Sequence, residues 1–271
     1  MTPAEEFGDV IVGAGLMAGA ANVIMQLGRP GVGYGVYEST VDSGNLFKHP
    51  VKRTRTTFTY LSVATLGTDE EKRAYRRSVN RSHAQVRSGE SSPVSYNAFD
   101  PELQLWVAAC LYKGYEDSFV AMSGKPIPAD RREEIFAASA PLGTTLQVKP
   151  EMWPSTRAEF DDYWEKNLAE VSIDDTIRRH LLDIAELRFL PAILRVPFAP
   201  LNKFITTGFL PQTFRDQMGL HWTHRDQRRF DKLTRAIGAV ALRLPTPLRR
   251  FPFNYHLWDL RRRMRKGKPL V

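Results

Sequence analysis

The sequence predicts an all-α fold, a single-domain helical bundle with at most a small β element, and three observations carry that prediction. Capping signatures recur ahead of long stretches free of Gly and Pro, at Thr68 with Glu71, at Asp100 with Pro101, and at Thr156 with Glu159. Each is followed by apolar residues at helical spacing. Runs of alternating apolar residues are short and few, Phe58 to Val63 being the most strand-like, so a large sheet is not supported.

Taken in order, the first element is a Gly- and Ala-rich stretch from Ile11 to Leu27, read as a buried core helix because Asn22 and Gln26 interrupt it and it is marginal in length for a bilayer span. The second runs from Asp69 to about Val86, where Tyr75, Val79, His83 and Val86 fall on one face. In the third, Leu103, Trp106, Val107 and Cys110 recur behind the Asp100 cap. In the fourth, Phe160, Tyr163, Trp164 and Leu168 form an apolar stripe. Two further patterns, IDDTIRRHLLDIAELRFL and HRDQRRFDKLTRAIGAVALRLP, are expected to close at Pro191 and Pro245. No internal repeat or linker divides the 271 residues, so one domain spanning 1–271 is expected.

Composition excludes several classes. With 42% hydrophobic and 25% charged residues the chain is ordinarily globular rather than disordered. Cys110 is the lone cysteine, which rules out an intrachain disulfide and a Cys-based zinc site and fits a reducing, cytoplasmic compartment. The opening MTPAEEFGD is acidic and does not read as a signal peptide. The net charge of +8 is concentrated between 225 and 271, where fourteen Lys and Arg face only Asp226, Asp231 and Asp259. Without interleaved aromatics or a reader motif this region does not point to nucleic acid; beyond a solvated face, it offers a peripheral contact with an anionic membrane.

Gly13, Gly15 and Gly19 in VIVGAGLMAG, with Glu38 beyond them, have the look of a dinucleotide-binding turn and suggest an NAD(P)-dependent oxidoreductase. That reading requires a strand before the glycines and a parallel βαβ unit after them, whereas the rest of the chain offers helices, so close packing of a core helix is the preferred explanation. Among the histidines, His83 projects from the buried stripe of its helix. A single axial imidazole suits haem, because a porphyrin supplies the other four nitrogens, whereas zinc or non-haem iron needs several convergent ligands. His221 and His224 lack a third partner and read as a loop or helix-start pair; His180 and His256 read as surface or interface residues, and His49 belongs to a basic cluster.

The Gly/Ala-rich helix leading into LGRPGVGYGVYES, then KHPVKRTRTTFTYLSVATLGTDEE, RSVNRSHAQV, YNAFDPELQLWVAACL and TGFLPQTFRDQMGLHW together resemble, in order and spacing, the oxygenase family of latex-clearing rubber oxygenase and the membrane-bound oxygenase of mycophenolic acid biosynthesis. The resemblance implies a globin-like helical core holding haem b, with the iron ligand in RSVNRSH, which is His83. It implies a distal Arg and Thr within KRTRTT, either Arg53 with Thr57 or Lys52 with Thr56, the former preferred, with Arg55 an inner basic residue. It also implies a carboxylate base for which Glu38 is a candidate, while Arg215 is a candidate partner for a haem propionate. Rubber oxygenase can carry a lysine at a distal position where this chain has Arg55 or Thr56, a departure that bears on rubber cleavage. The implied chemistry is oxidative attack by O₂, including C=C cleavage, on an apolar isoprenoid or lipid substrate. A haem-binding sensor without turnover is the alternative.

Overall fold

The computed structural model describes residues 11–271; the acidic opening and Val10 lie outside the described residues. Among those residues there are helices and no strand. The β component is one isolated antiparallel bridge between Arg87 and Asn97.

Architecture follows from one helix that is buried on nearly every side. Helix α5 (Pro101–Ser123) is capped by the Asp100 carboxylate, which accepts from the backbone N–H of Glu102, and it ends at Gly124 in the left-handed conformation. Trp106, Ala108, Ala109, Cys110, Tyr112 and Met122 on it are all sealed from solvent. Around it pack α1 (Gly19–Leu27), entered through a 3₁₀ segment Gly13–Ala18, and α11 (His224–Ala241). Gly238 lets α11 come close, since a Cβ there would meet the Met122 carbonyl oxygen at 2.1 Å. Asn22 of α1 donates to the Cys110 carbonyl across the same interface.

The remaining elements complete the shell: α2 (Pro30–Tyr37), α6 (Ala129–Ala138), α7 (Arg157–Leu168), α8 (Asp175–Ala185), α9 (Ala192–Phe209) and α10 (Gln212–Met218). Trp106 stacks on Trp164 of α7 at 5.2 Å, and Tyr112, Phe136, Trp153 and Phe160 extend this aromatic core. No helix among the described residues is long and apolar enough to cross a membrane.

Two helices form a separate antiparallel pair: α3 (Pro50–Leu66) and α4 (Asp69–His83), joined by Gly67–Thr68. Phe58 to Val63, the most strand-like run, is therefore the middle of α3. Its β-branched and hydroxyl residues are accommodated because Thr56, Thr59, Ser62 and Thr65 return their hydroxyls to carbonyls of the preceding turn, while Leu61, Val63 and Ala64 are buried by packing. On the far side, α12 (Phe253–Arg265) lies along α3. The helix expected to reach Val86 ends at His83, and α8 ends before Leu187, whose φ of 54° breaks the helix well ahead of Pro191.

Candidate functional site

Helix α4 is fixed at both ends. Thr68 and Glu71 form a reciprocal capping box at its start, and Arg261 of α12 donates to the Glu71 carboxylate at 2.6 Å. Midway, Tyr75 donates to the Thr56 carbonyl of α3 at 2.6 Å. Nearer its end, Asn80 accepts from Gln147, whose carbonyl oxygen accepts from Arg76 and whose backbone N–H donates to Gln104 of α5. These contacts set the position of the last residue, His83.

At His83 the imidazole is half-buried and meets the edge of Phe99 at 6.4 Å. Neither ring nitrogen has a hydrogen-bond partner, and Nδ1 is sealed from solvent. A buried polar atom with no partner in its own chain is left able to take one from outside it, a condition His83 Nδ1 shares with His256 Nδ1. Burial first, and the positive charge of Arg53 second, drive the imidazole pKa down to about 4, so the ring is neutral at physiological pH.

Arg53 reaches His83 electrostatically because α3 runs back along α4. Its side chain is exposed to solvent, while desolvation by the surrounding protein lowers the guanidinium pKa, an effect that Tyr75 partly offsets. This guanidinium has no hydrogen bond or ion pair. Thr57, one turn further along the same face, likewise has an uncommitted hydroxyl, whereas the buried Thr56 donates to the Arg53 carbonyl at 2.9 Å.

Other candidate residues lie elsewhere or are already engaged. Arg55 turns away from His83 toward α12 and the C-terminal segment, where it donates to the Leu270 carbonyl; burial and nearby Arg263 lower its pKa. Glu38 caps α2 and accepts hydroxyls from Ser92 and Tyr96, both at 2.8 Å, so its carboxylate pins the segment between Arg87 and Asn97. Arg215 donates to the carbonyls of Thr207 and Gly208 at the end of α9 and stacks over Trp222, which occupies the guanidinium in a helix cap. Sequence reasoning did not find Gln147 or Phe99, since neither lies on the stripe that exposed His83.

The other histidines are structural or peripheral. His180 packs against Tyr37 and Phe47, His256 against Phe58 and Tyr255, and His49 pairs with Asp42. His224 opens α11, and His221 lines an open groove with Phe204 and Trp222. Among the described residues no three His, Cys, Asp or Glu side chains converge as a metal site.

The early glycines do not belong to a nucleotide fold. Val12 leads directly into the 3₁₀ segment, and the described residues supply none of the parallel strands that reading requires. Gly13 serves close approach instead: a Cβ there would stand 1.5 Å from the Phe251 carbonyl oxygen. Gly13→Ala is accordingly expected to lower stability by about 1–3 kcal/mol through overpacking. A fall in the urea midpoint with no nucleotide dependence in either protein is the expected result.

An unpartnered neutral histidine thus closes a clamped helix of an all-α bundle, within electrostatic reach of an arginine that has no ion pair. The chain belongs to the family of the ER-bound oxygenase mpaB/B′ and rubber oxygenase catalytic domains, whose family model matches residues 8–239. It is 49% identical over 252 residues to uncharacterized proteins of Mycobacterium bovis and Mycobacterium tuberculosis, an overlap covering 93% of this chain and 98% of each relative. No solved structure matches it.

Proposed function

We propose that this protein is a haem-b-dependent oxygenase in which the His83 imidazole would hold the haem iron and Arg53 and Thr57 would supply polar hydrogen-bond donors to the reacting oxygen. The observation that carries this reading is the unpartnered imidazole of His83, with buried Nδ1 and a pKa near 4, held within electrostatic reach of an unpaired guanidinium. An imidazole that is to hold iron must be neutral with a nitrogen left uncommitted, and His83 meets both demands. One protein ligand would be enough, because a porphyrin carries its own four nitrogen donors.

Haem b, when bound, supplies the activation of O₂. The chain's own contribution is positional and electrostatic. The capping box, Tyr75 and the Gln147 clamp hold α4 so that the imidazole does not need to reorganise. Arg53 would offer unspent N–H groups, and Thr57 a free hydroxyl, as hydrogen-bond donors to the oxidant. The alternative pairing of Lys52 with Thr56 is less well supported, because the Thr56 hydroxyl is buried and already bonded to the Arg53 carbonyl. Glu38, bound by two hydroxyls, is better suited to holding the segment that follows His83 than to taking a proton from substrate.

Family membership directs the substrate assignment toward an apolar molecule of isoprenoid or lipid character, attacked oxidatively and with C=C cleavage as the specific reaction to test. The decisive experiment compares visible absorption spectra of wild-type and His83→Ala protein, ferric and dithionite-reduced, after expression with ample iron and haem precursor. A Soret band in wild type and its loss in the variant is the expected result; no band in either protein overturns the assignment. With haem present, Arg53→Ala and Thr57→Ala should retain the band yet lose most O₂-dependent turnover of an isoprenoid. Unchanged reactivity in both would identify a haem protein that senses or stores rather than catalyses.

A further inference from the structure

The first half of α9 is exposed where an ordinary helix would be packed. Ile193 is 83% exposed, Leu194 47%, Val196 68%, Phe198 55% and Leu201 48%, and burial sets in only with Ile205, Thr206, Thr207 and Phe209. Single exposed apolar residues are unremarkable, but a contiguous group of this size marks an interaction surface.

The distribution around the helix identifies what covers it. At 100° per residue, Ile193, Leu194, Val196, Phe198 and Leu201 spread over more than half the circumference, with only Arg195 and Ala199 partly shielded on the remaining side. A docked protein covers one face of a helix. A projecting end that is apolar over most of its circumference is instead suited to immersion in an apolar medium.

Charge and backbone chemistry agree. From Leu187 to Arg215 there is no Asp or Glu, while Arg188, Arg195, Lys203 and Arg215 are cationic. Arg188 and Lys203 are engaged by Asp183 and Glu186, which leaves Arg195 without an ion pair inside the apolar group, its stem long enough to carry the guanidinium to a phosphate. Pro191, Pro197 and Pro200 carry no backbone N–H, and the N–H groups of Leu194 and Arg195 are both bonded to the Pro191 carbonyl. The donors that would oppose entry into lipid are thus reduced in number, while the carbonyls freed by the internal prolines favour the headgroup boundary over the hydrocarbon centre.

We infer that the first half of α9, from Ala192 to Leu201, inserts into the surface of an anionic lipid bilayer, with Arg195 held at the level of the phosphates. The inference is independent of the haem assignment. The segment is too short to span, so it would anchor the protein on one leaflet.

The test uses full-length protein and vesicles of phosphatidylcholine with phosphatidylglycerol. Wild type is expected to co-sediment, and the double variant Ile193→Asp with Phe198→Asp to partition at least roughly ten-fold less, since each buried apolar side chain contributes more than a kcal/mol. Because Cys110 is buried, an environment-sensitive fluorophore can be placed on Phe198→Cys and, as a remote control, on Glu90→Cys. A blue shift with vesicles at 198 and none at 90 supports insertion even if the double variant folds poorly. Vesicle binding undiminished in a folded double variant, or no shift at 198, overturns it. So does a wild-type dimer that the aspartates convert to a monomer, which would make this surface an interface between copies.

Discussion

Glu116→Ala is expected to destabilise the protein by about 3–5 kcal/mol, the cost of leaving a buried partner charge uncompensated. Glu116 and Arg157 are each only 4% exposed and pair at 2.9 Å. Arg132 donates to the same carboxylate at 2.6 Å, and Tyr112 donates its hydroxyl at 3.2 Å. Removing the carboxylate strands Arg157 beneath Phe160, with the largely exposed Asp161 as its other ion-pair partner. Burial alone would raise the Glu116 pKa, but the hydrogen bonds from Arg132 and Arg157 outweigh it and hold the group at about 2. Because the folded pKa lies below that of the unfolded chain, the stabilisation is fully present above about pH 4.5 and is lost as pH falls toward 2, amounting to about 3 kcal/mol. Urea midpoints measured across that range should decline steeply for wild type, whereas Glu116→Gln should start lower and decline less. Parallel pH profiles for the two proteins would refute the assignment.

Trp106→Ala should cost about 3–5 kcal/mol as well, through the cavity it leaves. The side chain is 0% exposed and stacks on Trp164, and its indole N–H is shared between the carbonyls of Met25 and Gln26 at 3.2 and 3.1 Å. Those carbonyls belong to the last turn of α1, so the substitution removes both a large apolar volume and a helix-end hydrogen bond. Trp106→Phe, which keeps most of the volume and loses the donor, should show a clearly smaller loss. Denaturant titration with an unchanged slope separates a stability effect from a change in the unfolded state. Equal losses for the two variants would mean that packing volume contributes nothing measurable at this position.

The helices with side-chain N-caps were legible in sequence because the signal is local: Thr68 with Glu71, Asp100 ahead of Pro101 and Thr156 with Glu159 all cap where expected. His83 was visible for the same reason, since helical spacing from Tyr75 placed it on an inward face. Helix α3 was not, because the consecutive β-branched and aromatic residues from Thr56 to Tyr60 favour strand locally. Only tertiary burial, with hydroxyls bonding back to the helix, overrides that preference. The clamp through Gln147 and the engagement of Glu38 by Ser92 and Tyr96 depend on residues at least 43 positions apart, which no local pattern encodes. Between Arg53 and Arg55, two residues apart in sequence, the helix itself makes the distinction by turning one toward His83 and the other toward Leu270.

The family match stops at residue 239, yet α12 begins at Phe253 and lies along α3, where Leu257, Leu260 and Leu270 bury Val63 and Tyr75 and Arg261 grips the cap of α4. The boundary of the family unit is therefore not a boundary of the scaffold. A truncation designed at residue 239 would uncover the outer wall of the helical hairpin that carries both Arg53 and His83.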